Sequence, residues 1–178
     1  WPHRTLLHFT KASNMTDRFN ALSALVQSGH PLSAEALAIF YKIFSNEALV
    51  IDKWFALQAG ASDRGGNILP TVRQLLQHPD FSMKNPNRAR SLVFSYCNAN
   101  PGAFHRSDAA GYVFWSDRVL EMDATNPQVA ARLARALDRW SHLAEPYRSA
   151  AKVAIERVAA KPDLSNDVRE VIGHALSE

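Results

Sequence analysis

The sequence predicts an all-α fold in which antiparallel helix pairs stack as a solenoid, and three observations lead there. Apolar residues recur with helical spacing along the whole chain, without the sustained alternation that a half-buried strand requires. Asn, Pro and Gly fall where helices start and stop. The segments so marked are short, and short connections make neighbours antiparallel. About nine of them is too many for one four-helix core, which favours stacking over a bundle.

The elements follow in order, with ends set to within about 2–4 residues. A broken-off segment at 2–12 precedes a helix over 16–28. In the next, 33–45, Leu37, Phe40, Tyr41 and Phe44 stand at i, i+3, i+4 and i+7, one apolar stripe. Asn46 is positioned to cap a helix over 47–59 that stops at Gly60. That helix carries Val50, Ile51, Trp54, Phe55 and Leu57 around a wide arc, so it should be packed on more than one side. A helix over 68–77 follows. Three Asn-Pro pairs, at Asn85, Asn100 and Asn126, then read as helix starts. Asparagine offers a side-chain acceptor to orphan backbone donors, and proline at the first helical position loses no hydrogen bond. The remaining helices are expected over 87–98, 108–122, 127–141, 146–160 and 165–177.

Composition excludes several classes of function. The chain has 178 residues, 47% hydrophobic and 21% charged, enough to bury a core without disulfide or metal. Cys97 is the single cysteine, so no internal disulfide and no zinc-finger spacing exist, and a reducing compartment is the default. There is no apolar run of membrane-spanning length and no signal-peptide pattern, which points to a soluble, cytoplasmic protein. A net charge of +3 is too small to argue for nucleic acid. HExxH, GxSxG, Walker and GxGxxG motifs are all missing. Glu170 and His174, at i and i+4, could share a metal but fit a solvated surface pair better. Cys97 with His105 lacks a third, orienting group and reads as a buried small hydrophobe beside a loop histidine.

Two helix faces are less ordinary. On a wheel for Pro127 to Trp140, Val129, Leu133, Ala136 and Trp140 form the buried side, with Gln128, Arg132, Arg135 and Arg139 lined up beside it. Like charges so spaced repel by about 0.2–0.5 kcal/mol per pair. Such a stripe is either neutralised by a neighbouring helix or held for recognition, and Arg132, at the edge of the apolar stripe, suits recognition. In NPNRARSLVFSYC, Ala89, Leu92, Val93 and Tyr96 are expected inside. Arg90 then lies at the margin between Phe94 and Cys97 with a half-buried stem, while Arg88 points away beside Ser91 and Ser95. Periodicity alone reads both arginines as structural.

NMTDRFNALSAL (Asn14 to Leu25), IDKWFALQA (Ile51 to Ala59), TVRQLLQHPDFSMKNPNRARSL (Thr71 to Leu92), NPGAFH (Asn100 to His105) and NPQVAARL (Asn126 to Leu133) resemble, in this order, the C-terminal domain of the bacterial aminopeptidase N family, zinc-dependent gluzincins. The likeness covers nearly the whole chain, thinning to amphipathic pattern after Ala144. It implies a HEAT/armadillo-like superhelix that closes over a catalytic domain and encloses a chamber for peptides. The family's HExxH and GxMEN motifs, which hold zinc and grip the substrate's amino group, belong to a preceding domain and do not occur here. Residues 1–178 are therefore expected to be one C-terminal helical domain, without catalytic residues and without a cofactor of its own, the zinc residing in the catalytic domain of the same polypeptide. The positions matching chamber-lining residues of the family are Arg90, Gln128 and Arg132, expected to bind peptide substrates by positioning and enclosure.

Two other readings compete with this one. A free-standing helical-repeat scaffold could bind a protein or an acidic peptide along its concave face. The stripe Arg132, Arg135 and Arg139 could instead meet RNA or DNA, against which stand the low net charge and Asp138 within the stripe.

Overall fold

The structure is a computed structural model that describes residues 3–5, 7 and 14–178, so the segment expected at 2–12 falls mostly outside the described residues. Every regular element among the described residues is helical, as the periodicity predicts. In chain order they are α1 (Met15–Ser28), α2 (Leu32–Phe44), α3 (Ala48–Ala59), α4 (Ile68–Leu76), a composite α5 over 86–97, the short α6 (Pro101–Phe104), α7 (Ala110–Asp123), α8 (Pro127–Ala134), α9 (Tyr147–Ala159) and α10 (Asn166–Ser177).

Local chemistry explains most of the ends. Asn14, Asn85, Asn126 and Ser165 each cap a helix, their side-chain oxygens accepting the backbone N–H three residues on. Pro86, Pro101 and Pro127 occupy first-turn positions, where a missing N–H costs nothing. α1 ends at Gly29 with φ +66°, a conformation that a side chain disfavours. Two capping expectations are corrected. α3 starts one residue later than expected, with Glu47 rather than Asn46 at the N-cap and no side-chain cap bond. Asn100 does open a helix, α6, which periodicity missed because it is a single turn. Its side chain caps nothing, however: buried, Asn100 Nδ2 donates to the carbonyls of Ala59 (2.9 Å) and Ala61 (2.7 Å). Pinning the exit of α3 satisfies two buried acceptors that would otherwise cost about 1–3 kcal/mol each.

Packing follows chain order, as in a helical solenoid. α3 lies centrally in the first half, against α1, α2, α4 and α5, which accounts for its wide apolar arc. α7 has the same place in the second half, against α8 and α9, and α10 closes on both of those. Between the halves, α5, α6 and α7 form a tight corner. Tyr96 Oη donates to the Ala103 carbonyl (3.0 Å), and a Cβ at Gly111 would run into the carbonyl of Phe104, so only glycine fits. The core is continuous through this corner, with Trp115, Tyr96, Tyr112, Phe40, Phe55 and Phe104 fully buried.

Two helices depart from regular α geometry. α5 comprises an α turn (Pro86–Ala89), a π turn (Arg90–Phe94), where Ser95 N–H reaches the Arg90 carbonyl five residues back, and a last α turn (Ser95–Cys97). The expected single helix over 127–141 is also interrupted. α8 ends at Ala134, and two 3₁₀ turns, Arg135–Leu137 and Trp140–His142, follow it. No helix among the described residues is long and apolar enough to cross a membrane.

Candidate functional site

α8 holds two of the three positions singled out from sequence. Its inner face, Val129, Ala130, Leu133 and Ala134, is buried against α7 and α10. The helix is fixed at three points. Asn126 Oδ1 accepts Val129 N–H at its start (3.3 Å), and Trp115 Nε1 on α7 donates to the Leu133 carbonyl in its last turn (2.8 Å). Just beyond it, Trp140 Nε1 donates to the Ala175 carbonyl of α10 (2.9 Å). On this anchored helix Gln128 and Arg132 are both exposed, one turn apart and on the same side. Neither side chain has a hydrogen bond or ion pair within the described residues. Five guanidinium donors and a side-chain amide thus face outward from a rigid support, able to serve a peptide carbonyl or a carboxylate.

The arginine stripe does not continue past them. From Arg135 the α-helix gives way to 3₁₀ turns, so the helical spacing does not carry through to Arg139. Arg135 instead approaches Asp138 at 3.7 Å, an exposed and loose contact of little energetic weight. Burial raises the Asp138 carboxyl above its usual range, and Arg135 opposes that shift. The regular row of positive charge that a nucleic-acid reading needs is therefore interrupted.

Arg90, the third position, begins the π turn of α5. Ala89, Leu92, Val93 and Tyr96 are completely buried, as the wheel predicts, and Arg90 is half-buried at their margin, its side chain with no hydrogen bond or ion pair within the described residues. Its neighbour Arg88 corrects the sequence reading. It lies one turn before Leu92, only about 40° round the helix, and so turns inward rather than away. At 7% exposure it is held on every side: Nε on Asp52 Oδ1 (2.5 Å), one Nη on the Asp80 carbonyl, the other on the Ala48 carbonyl (3.4 Å), and the guanidinium 5.3 Å from the Phe55 ring centre. Asp80 also accepts the Tyr41 hydroxyl, which pushes the Tyr41 phenol up. Sequence reading missed this network because its acceptors lie on α3 and the α4–α5 connection, beyond any local spacing. α5 contacts α3 and α4, whereas α8 contacts α7 and α10, so Arg90 stands in a different layer from Gln128 and Arg132.

Neither weaker catalytic candidate becomes a centre. Cys97 is buried and burial pushes its thiol far up, which disfavours the thiolate a nucleophile needs. His105 Nδ1 shares a hydrogen bond with Tyr112 Oη (2.6 Å), and burial lowers its pKa below the ordinary histidine value. For metal, the donor set does not fit: no group of three His, Cys, Asp or Glu side chains comes together among the described residues. His174, paired by sequence with Glu170, lies 3.6 Å from Glu178 instead.

Comparison with known proteins bears on this surface. Residues 1–177 match the family described as a domain of unknown function (DUF3458_C), ARM repeats. The chain is 41% identical over 173 residues to aminopeptidase N of Caulobacter vibrioides, covering 97% of this chain and 20% of that one. Against aminopeptidase N of Haemophilus influenzae it is 41% identical over 169 residues (95% and 19%), and against that of Escherichia coli 39% over 169 (95% and 19%). A crystal structure of Legionella pneumophila aminopeptidase A in complex with aspartic acid superposes with a TM-score of 0.91 at 27% identity, over 99% of this chain and 20% of that one. The chain thus spans about a fifth of the length of the relatives it matches.

Proposed function

Because this chain belongs to that family of ARM repeats, we propose that it serves as the non-catalytic C-terminal domain of a zinc aminopeptidase, enclosing the active-site chamber and helping to position peptide substrate. Similarity along nearly the whole chain to one-fifth of several aminopeptidase N sequences supports the reading. Its catalytic partner would be the remainder of the same polypeptide, acting on the N-terminal residues of peptides, and its zinc would be held there. The lone buried thiol suits a cytoplasmic setting.

The observation that carries the positioning role is the pair Gln128 and Arg132, exposed and unpartnered on a helix locked from behind by Trp115 and Trp140. A guanidinium fork carried on a fixed helix can take a peptide carbonyl or C-terminal carboxylate, which assists catalysis by orientation. Arg90 would add a second contact from its own layer. No bond is made or broken by these groups.

The isolated 178-residue chain, supplied with zinc, should leave aminoacyl anilides intact. Robust, chelator-sensitive hydrolysis by pure material would overturn the proposal. An antibody to the chain should detect a polypeptide several times longer in its source organism; an antigen of this size alone would favour the free-standing scaffold.

A further inference from the structure

We infer that a cleft between α1, α2, α3 and α4, remote in sequence from Arg90, Gln128 and Arg132, is a binding site for a neutral carboxamide group. The cavity holds about 170 Å³, room for several waters or a small polar group. Val26, Leu37 and Ile68 supply apolar wall, and Gln58, Asn67 and Arg64 supply polar groups.

Gln58 carries the inference. It sits on α3 at 8% exposure, where an uncharged polar side chain is uncommon unless its groups are satisfied. Its Nε2 donates to the Trp54 carbonyl (3.1 Å), and since that acceptor can only meet the NH2 end, the orientation of the amide is fixed. Gln58 Oε1 is left without a partner, while Gln58 lines the cavity. Asn67 lines the same cavity; its Oδ1 is taken by the backbone N–H of Arg64 (2.7 Å), so the Asn67 NH2 remains a free donor. Arg64 spends one Nη on the Gln27 carbonyl (2.8 Å) and keeps further donors at the rim.

The cleft therefore presents one open acceptor on an otherwise buried side chain and, at its exposed rim, donors. A carboxamide matches both, giving N–H to Gln58 and C=O to Asn67 or Arg64. A carboxylate would turn its lone pairs on Gln58 Oε1, and an ammonium would face Arg64 and leave the Asn67 donor unused. The group could come from an Asn or Gln side chain or from a peptide backbone unit, both of which present the same pair of atoms.

The test titrates the 15N-labelled 178-residue chain with propionamide, N-methylacetamide and, as the anionic control, propionate, following the side-chain NH2 signals of Gln58 and Asn67. Saturable shifts at both signals with an amide, and none with propionate, are expected. Preference for propionamide assigns the site to side-chain amides, and preference for N-methylacetamide to the backbone. Gln58→Met should weaken binding roughly fivefold or more, as expected for one neutral hydrogen bond. Should that variant fail to fold, Asn67→Ala at an exposed position carries the same expectation. Shifts that do not saturate, equal shifts with propionate, or unchanged affinity in the folded variants would overturn the inference.

Discussion

The segments 86–97 and 127–135 each carry two arginines within three residues of one another, and each ties one down while leaving the other free. In the first, Arg88 is buried against Asp52, two carbonyls and an aromatic ring, and Arg90 is unpartnered. In the second, Arg135 makes one loose contact with Asp138, and Arg132 is unpartnered. The two tied arginines differ in kind. Arg88 locks two helices together in a dry setting, whereas the exposed Arg135 makes only a loose contact with a half-buried carboxylate. Charge spacing along a helix therefore does not tell structural arginines from available ones; what decides is whether acceptors from other elements arrive.

That contrast can be broken from several directions. Arg88→Ala should have the largest effect. It leaves Asp52 partly buried without its cation and strips two carbonyls of a donor, and should cost about 3–5 kcal/mol in denaturant unfolding. Arg135→Ala, by the same measurement, should stay within about 0.5 kcal/mol. Equal losses would mean that burial does not separate the two.

A smaller effect is expected at the support of the free pair. Asn126→Ala removes the cap of α8 and should cost about 1 kcal/mol while leaving the fold intact. An Asn126→Ala chain as stable as the parent would show that the capping geometry contributes nothing there.

The pH dependence sharpens the comparison at the corner between the halves. His105 has its folded pKa lowered by burial, so the neutral ring is favoured in the fold. Its contribution to stability is complete above the unfolded value near 6.5 and is lost as pH falls through the lower, folded value. Denaturation midpoints should fall from pH 7 towards pH 5, and His105→Gln should flatten that slope. A slope unchanged in the variant would assign it to other groups.

Helix content and order were legible in sequence because they depend on local rules: apolar period, Asn-Pro starts and Gly stops. The burial of Ala89, Leu92, Val93 and Tyr96 followed from the same period. The π turn at Arg90 and the 3₁₀ turns after Ala134 were not legible, because they change the backbone hydrogen-bond register without changing composition. The inward turn of Arg88 was open to the same spacing rule, one turn before Leu92, but its acceptors Asp52 and Asp80, 36 and 8 residues away, were not. Asn100 shows the same limit, since its side chain serves carbonyls about 40 residues earlier rather than its own helix. Of the candidate site, the pairing of Gln128 with Arg132 on one face could be read from their spacing. That Arg90 belongs to another layer could not.

The most direct test of the proposed positioning role is Arg132→Ala in the longer aminopeptidase proposed to carry this chain, assayed on an unblocked tetrapeptide and on an aminoacyl anilide. Loss of a hydrogen bond from a charged donor, about 1.5–3 kcal/mol, predicts a fall of about tenfold or more in kcat/KM for the tetrapeptide. The anilide has no C-terminal carboxylate and should be hydrolysed at nearly the unaltered rate, with Tm unchanged. An equal fall for both substrates, or none for either, would contradict the assignment of Arg132 to substrate positioning.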